Sequence, residues 1–287
     1  MRLVAFRSDG GQPALGARLG QELVDLTALG LPTTLDELLR QGEAGFAAAR
    51  DAVTRAKVRR PLAGLRYLPP IALPSKAFAA GLNFVDHAAE SPYKDPPAYP
   101  VMFQRFPSSW VAHGEALVRP KVSEQFDYEA ELVVVIGRPG RAIPKARALE
   151  HVAGYSLFND GSVRDYQLRV TQWMIGKNFD RSGSFGPEFV TADELPPGAK
   201  GLQLQCRLNG RVLQNANTND MIFDVPALIE ACSEAMALVP GDIIIAGTPS
   251  GVGFARKPPV FMRAGDVCEV EVEGLGLLRN PVIDEED

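Results

Sequence analysis

Two glutamates one residue apart, Glu129 and Glu131, lead directly into the apolar run Leu132-Val133-Val134-Val135-Ile136. Side chains alternate across a strand, so an E-x-E pair at the mouth of a strand presents two carboxylates on one face. A hard divalent cation takes several oxygen ligands, and such a pair supplies two from a rigid element. Alone, E-x-E reads more readily as a solvated strand face, the reading given to Glu269, Glu271 and Glu273. The apolar run changes that weighting, because unpaired carboxylates entering a buried strand are costly. Asp160 ends a strand candidate over 154–158 and offers a third oxygen, although an isolated aspartate there is equally a turn or capping residue. Beyond it, Ser162 is placed to cap a short helix, Arg164 and Asp165 read as an ion pair, and Gln167 falls near the side of Asp160. Lys177, after Gly176, is a point charge for a substrate carboxylate or oxyanion if a metal lies beside it, and a surface lysine otherwise.

Two further segments carry chemistry. In Gly81-Leu82-Asn83-Phe84-Val85-Asp86-His87-Ala88-Ala89-Glu90, His87 and Glu90 stand three apart and share one face of a helix. An imidazole beside a carboxylate makes a general base able to activate water, although helical His–Glu pairs are more often surface pairs. The Pro-rich segment 91–100 that follows suits a hinged lid. In Gly247-Thr248-Pro249-Ser250-Gly251-Val252-Gly253, the glycines allow close approach to a ligand and Thr248 can hydrogen-bond a carboxylate; an elaborate turn is the plainer reading.

The elements that must position these groups follow from pattern. Residues 1–70 read as a small α/β module. It has strand candidates at 3–6 and 17–19, a capped helix start at Thr33-Thr34-Leu35-Asp36-Glu37, and Ala-rich helix to about Arg60. Prolines at 69, 70 and 74 mark a boundary. Residues 72–287 read as strand-rich. Alternation over 202–208 runs into an Asn209-Gly210 hairpin turn. Asp224 and Pro226 open a helix with Leu228, Ile229, Cys232, Met236 and Val239 on one face. Residues 243–245 form a buried strand, and 268–272 a half-exposed one. There is no βαβ rhythm and no phosphate-binding glycine loop, which argues against dinucleotide and P-loop folds.

Composition narrows the functional classes. The 287 residues carry a formal net charge of −5 and no block of basic residues, so nucleic acid is not an expected partner. No apolar run reaches membrane-spanning length and the N-terminus does not read as a signal peptide, from which a cytoplasmic location is expected. Cys206, Cys232 and Cys268 are far apart and read as core residues. With three histidines in all, an oxygen-ligand site is favoured over a histidine-rich one.

Taken in order, the motifs resemble those of the fumarylacetoacetate hydrolase family over about residues 72–282. They are G-x-N-F-x-x-H-x-x-E, the acidic pair before an apolar strand, N-D-x-x-x-R-D-x-Q, G-K-x-F-D and G-D-I-I-x-x-G-T-P-x-G-V-G. The small N-terminal module looks like the extra domain many members carry. The resemblance implies an α+β fold, a mixed β-sandwich or β-roll, commonly a homodimer, and a metal-dependent enzyme using Mg2+ or Mn2+. Glu129, Glu131 and Asp160 match the metal ligands. His87 and Glu90 match an acid–base dyad on a lid. Lys177 and Gln167 match residues that contact the substrate or its water, Arg164 a supporting arginine and Thr248 a substrate contact. Three positions depart from the pattern: Gly161 replaces a larger apolar residue, Arg105 stands where many members have lysine, and Asn178 replaces a frequent serine. If Arg105 faces the pocket, it is a bidentate clamp for a carboxylate on a fumaryl- or maleyl-type tail.

The expected reaction is hydrolysis of a C–C bond in a 1,3-diketo acid, an acylpyruvate, to pyruvate and a carboxylic acid. His87 and Glu90 would deprotonate a water held by Gln167, and Lys177 would hold the departing pyruvate enolate. The alternative is a decarboxylase of oxaloacetate type, or an isomerase or hydratase, working through the same enolate. A non-catalytic scaffold is disfavoured because all three acidic positions are retained.

Overall fold

The computed structural model describes residues 1–90 and 96–286. It is a mixed α+β fold dominated by two sheets. The larger runs, from one edge to the other, through Arg60–Pro61, Glu22–Asp25, Pro13–Leu19, Arg2–Arg7, Gly183–Thr191, Val152–Asn159, Ala130–Ile136, Ile243–Ile245, Ala77–Gly81 and Val101–Gln104, with Trp110–Val111 branching from Gly183–Thr191. The smaller sheet has the order Arg211–Asn217, Gln203–Leu208, Val267–Val272, Gly276–Asp284, Leu117–Arg119.

Strand Ala130–Ile136 is buried throughout its length, as its unbroken apolar run predicts. Its two faces enter different cores. Leu132, Val134 and Ile136 pack with Leu204, Cys206, Val270 and Leu278 of the smaller sheet, which makes the sandwich. Val133 and Val135 pack with Ile243 and Ile245 and with Leu35, Leu38, Leu39 and Phe46 of the N-terminal helices. The N-terminal strands are not set apart from this arrangement: Leu3 pairs with Phe189 and Arg2 with Val190, so the first strand extends the same sheet.

Local expectations are met where turn or cap chemistry decides them. Thr34 caps Leu35–Arg40 by accepting from the Glu37 amide at 3.3 Å. Asn209 and Gly210 have φ of 52° and 77°, as a tight hairpin turn requires. Asp224 caps Val225–Ala235. Elsewhere the elements end sooner than the apolar pattern does. The N-terminal helix is two helices, Leu35–Arg40 and Gly42–Arg55, broken where Gly42 takes φ of 60°. Met236 lies past the end of its helix and is exposed. Ser162 does not cap a helix; its hydroxyl donates to the Asp160 carbonyl at 2.8 Å. The three cysteines are buried and unbridged. Part of the Pro-rich lid expectation, residues 91–95, lies outside the described residues. No described helix is long and apolar enough to cross a membrane.

Candidate active site

The three acidic residues meet because two neighbouring strands place them opposite one another. Ala130 pairs with Asn159 in antiparallel register, so the positions just outside, Glu129 and Asp160, face each other; the Asp160 amide donates to the Glu129 carbonyl at 2.8 Å. Glu131 is two residues along on the same face. One oxygen from each of the three carboxylates lies within 4.8 Å of the others, and all three residues are buried.

Cations and backbone amides divide the carboxylate oxygens among them. Asp160 Oδ1 accepts from Arg105 Nη1, and Oδ2 accepts from Lys177 Nζ at 2.7 Å. Glu129 Oε2 accepts from Lys177 Nζ at 2.6 Å, and Oε1 lies 2.7 Å from Arg164 Nη2. Glu131 Oε2 accepts from the Gly247 amide at 2.6 Å. The electrostatics separate the two glutamates. Burial pushes the Glu129 carboxyl up, but Lys177 and Arg164 outweigh it and hold it at about 2. For Glu131, burial, then Asp160 and Glu129, outweigh the pull of Lys177 and the Gly247 amide and push the carboxyl well above the usual carboxylate range. The triad therefore offers hard oxygen donors with anionic charge not fully matched by its neighbours, the chemistry that suits Mg2+ or Mn2+.

His87 and Glu90 both lie on helix Val85–Glu90, with His87 Nδ1 3.0 Å from Glu90 Oε1. The two Glu90 oxygens accept from the Gly251 amide at 3.0 and 3.1 Å. His87 lines the same cavity as Glu129, Glu131, Arg164, Gln167, Lys177 and Thr248. Gln167 Oε1 accepts from Arg164 Nη1 at 2.8 Å, and its amide nitrogen has no protein partner among the described residues. The Thr248 hydroxyl donates to the Ala130 carbonyl at 3.1 Å and accepts from Gln214 Nε2 at 2.8 Å. The cavity at the triad has a volume of about 30 Å3.

The 247–253 loop explains its glycines residue by residue. A Cβ on Gly247 would fall 2.6 Å from Asn83 Cβ, and one on Gly251 2.2 Å from the Leu213 carbonyl. A Cβ on Gly253 would fall 2.5 Å from Asp127 Oδ1, which accepts the Gly253 amide at 2.7 Å. The loop thus delivers amides to Glu131, Glu90 and Asp127 from positions only glycine can occupy.

Two expectations are corrected. Arg105 does not face the cavity, as a clamp for a substrate carboxylate would have to. It is buried behind Asp160, and its other donors go to the Ser109 hydroxyl and carbonyl, both at 3.1 Å, and to the Gly161 carbonyl at 3.2 Å. A Cβ on Gly183 would sit 2.6 Å from Arg105 Nη2, and one on Gly161 1.8 Å from the Ser182 carbonyl, so close glycine-lined packing shapes this side of the site. Arg164 does not pair with Asp165. It pairs with Asp127 at 2.8 Å and with Glu129, while Asp165 accepts from the Ser123 hydroxyl at 2.6 Å. Asn178 caps the chain after Gln104, accepting from the Phe106 amide at 2.7 Å.

Several participants were not among the expected site residues, although Asn159 opens the N-D-x-x-x-R-D-x-Q motif. Asp127 anchors Arg164 and the 253–254 amides. Asn159 Oδ1 holds the Glu129 amide at 3.0 Å, and Gln214 the Ala130 amide at 2.9 Å. Trp173, Phe103 and Phe254 complete the cavity wall. Asp127 was open to discovery, because it precedes Glu129 by two and so shares its face. Gln214 was not, since it reaches the site from the other sheet.

The family model for the fumarylacetoacetate (FAA) hydrolase C-terminal region matches residues 76–283. The chain belongs to the fumarylacetoacetate hydrolase family. Among its relatives, an oxaloacetate tautomerase of Xenopus laevis, described as mitochondrial, is 40% identical over 290 residues, spanning 99% of this chain and 90% of that protein. A human oxaloacetate tautomerase, also described as mitochondrial, is 39% identical, spanning 99% and 92%. A solved structure of maleylpyruvate hydrolase from Sphingobium sp. SYK-6, in complex with manganese(II) and pyruvate, is similar with a TM-score of 0.83 and 30% identity, covering all of both chains. The chain is thus a fumarylacetoacetate hydrolase family enzyme whose buried acidic triad suits a divalent cation.

Proposed function

We propose that this family enzyme is a divalent-metal-dependent tautomerase of oxaloacetate-type 2-oxo acids, the oxaloacetate-directed alternative to C–C hydrolysis. The observation that carries this reading is the 40% identity to an oxaloacetate tautomerase across 99% of the chain. Glu129, Glu131 and Asp160 would hold the cation, which when bound supplies Lewis acidity at the 2-oxo group.

Tautomerisation needs one proton removed from C3 and one delivered to the C2 oxygen. The C3–H electron pair becomes the C2–C3 double bond, and the C2–O double bond becomes a hydroxyl. His87 takes the C3 proton at Nε2, because Nδ1 faces Glu90 and Glu90 is itself fixed by Gly251. Lys177, the one ammonium group on the cavity wall among the described residues, holds the oxygen side of the substrate and donates a proton there, and solvent carries the His87 proton back to it. Gln167 donates its spare amide hydrogens to a substrate carboxylate. Arg105 and Arg164 hold Asp160 and Glu129 in place.

The test follows the decay of the oxaloacetate enol absorbance. With Mn2+ added, the protein accelerates the decay; with chelator it does not; and His87→Ala loses at least about a hundredfold in kcat, in the range of general acid–base catalysis, while still binding Mn2+. Full activity of that variant, or of chelated protein, refutes the assignment. C–C hydrolysis stands as a second reading, favoured by the tethered His87–Glu90 pair, which can equally serve a water. Loss of acylpyruvate absorbance with pyruvate formed, and no acceleration of oxaloacetate enol decay, would decide for it.

A further inference from the structure

The small cavity at the triad shares a wall with a larger groove outside it. Leu82, Phe103 and Trp173 line both. The outer groove has a volume of about 340 Å3 and continues over Pro97, Val101 and Met102. This is within the size of pockets that take small ligands, roughly 300–1,000 Å3. Its shared wall is firmly set: Phe103 and Trp173 meet edge to face with centroids 5.9 Å apart. Trp173 lies so close to Gly81 that a Cβ there would fall 2.2 Å from its ring.

Charge is distributed very unevenly between the two spaces. No charged side chain among the described residues lines the outer groove. The cations nearest the inner cavity already have partners: Arg105 on Asp160 and Ser109, Arg164 on Asp127, Glu129 and Gln167, Lys177 on Glu129 and Asp160. A carboxylate carried outward past Trp173 would meet no uncommitted cation among the described residues, and a carboxylate buried without one is strongly disfavoured, so the C4 carboxylate of oxaloacetate stays inside with Gln167. An alkyl or aryl group would meet apolar and aromatic side chains.

We infer that the outer groove receives an uncharged, apolar substituent on C3 of a 2-oxo acid, so that the enzyme tautomerises aryl- or alkyl-substituted 2-oxo acids as well as oxaloacetate. The inference rests on the tautomerase reading of the inner site. The step is the same proton exchange between C3 and the C2 oxygen, and needs no co-reactant.

Phenylpyruvate is the probe, followed by its enol absorbance above the background of Mn2+ alone. It is turned over with kcat/KM within about tenfold of that for oxaloacetate, the scale on which one apolar contact discriminates. Thr171 is exposed on the groove wall. Thr171→Arg, which places a cation there, lowers kcat/KM for phenylpyruvate by about tenfold or more and leaves that for oxaloacetate unchanged or raised. Gln172→Lys, on the same wall, serves if that variant does not fold. If oxaloacetate is turned over but phenylpyruvate is neither substrate nor competitor, the groove assignment is wrong and the tautomerase reading stands. Equal loss on both substrates in the arginine variant also overturns the groove. If phenylpyruvate alone is turned over and the variant suppresses it, the groove stands and the oxaloacetate assignment fails.

Discussion

Glu131 is the residue on which metal and proton compete. Its carboxyl is raised well above 4.5 by burial and by Asp160 and Glu129, so in the metal-free protein it favours the protonated form. A raised folded-state value means that its contribution to stability is complete below about 4.5 and is lost as pH climbs through the raised value. Glu129 works in the opposite sense: held at about 2, it adds stability above about 4.5 that is lost as pH falls toward 2. Glu131→Gln should therefore raise the melting temperature of chelated protein at pH 8, by about 2–4 °C for each kcal/mol recovered. The same variant should lose Mn2+ binding. Scanning calorimetry and a Mn2+ titration test the two halves, and a lower melting temperature would remove the argument. At this scale the sequence was most readable where periodicity places side chains. Glu129 and Glu131 could be assigned to one face from their spacing, whereas Arg105 could not. Its direction depends on how the chain turns after Gln104, where Asn178 captures the Phe106 amide from another segment.

Among the elements, the 247–253 loop carries the most consequence for its length. Its amides reach the metal triad through Glu131, the acid–base pair through Glu90 and the arginine anchor through Asp127. Gly251→Ala puts a Cβ 2.2 Å from the Leu213 carbonyl at a φ of 99°, strain of order 1–3 kcal/mol. The amide withdrawn is the one that holds Glu90. The expected result is a kcat at least about tenfold lower with Mn2+ affinity kept within about threefold, a ΔΔG below about 1 kcal/mol. Equal loss of metal binding would show that the loop acts as one rigid piece. Strands and turns with local chemistry, such as Asn209-Gly210 and the Asp224 cap, were legible in advance. The contact of Gly251 with Leu213 was not, because it joins segments 38 positions apart whose approach is set by the packing of two sheets.

At the scale of the whole molecule, the prolines near residue 70 suggest a division that the larger sheet does not respect. Arg2–Arg7 pairs with Gly183–Thr191, and Leu3 packs in one core with Phe189, Val133 and Ile243. Glu188, buried in that strand, takes its cations from Arg2 at 2.8 Å and Arg18 at 3.1 Å. Removing residues 1–70 uncovers an apolar strand edge and leaves Glu188 without these partners, each a recognised cause of misfolding and aggregation. The truncated chain should be recovered insoluble or without a cooperative melting transition. A soluble, active 71–287 fragment would show that the catalytic fold is self-sufficient.

Glu90 joins two parts of the site that the chain reaches separately: its carboxylate faces His87 Nδ1 on its own helix and accepts the Gly251 amide of the 247–253 loop. The Nε2 edge of the imidazole is therefore aimed as much by a loop 161 positions along the chain as by the six-residue helix that carries it.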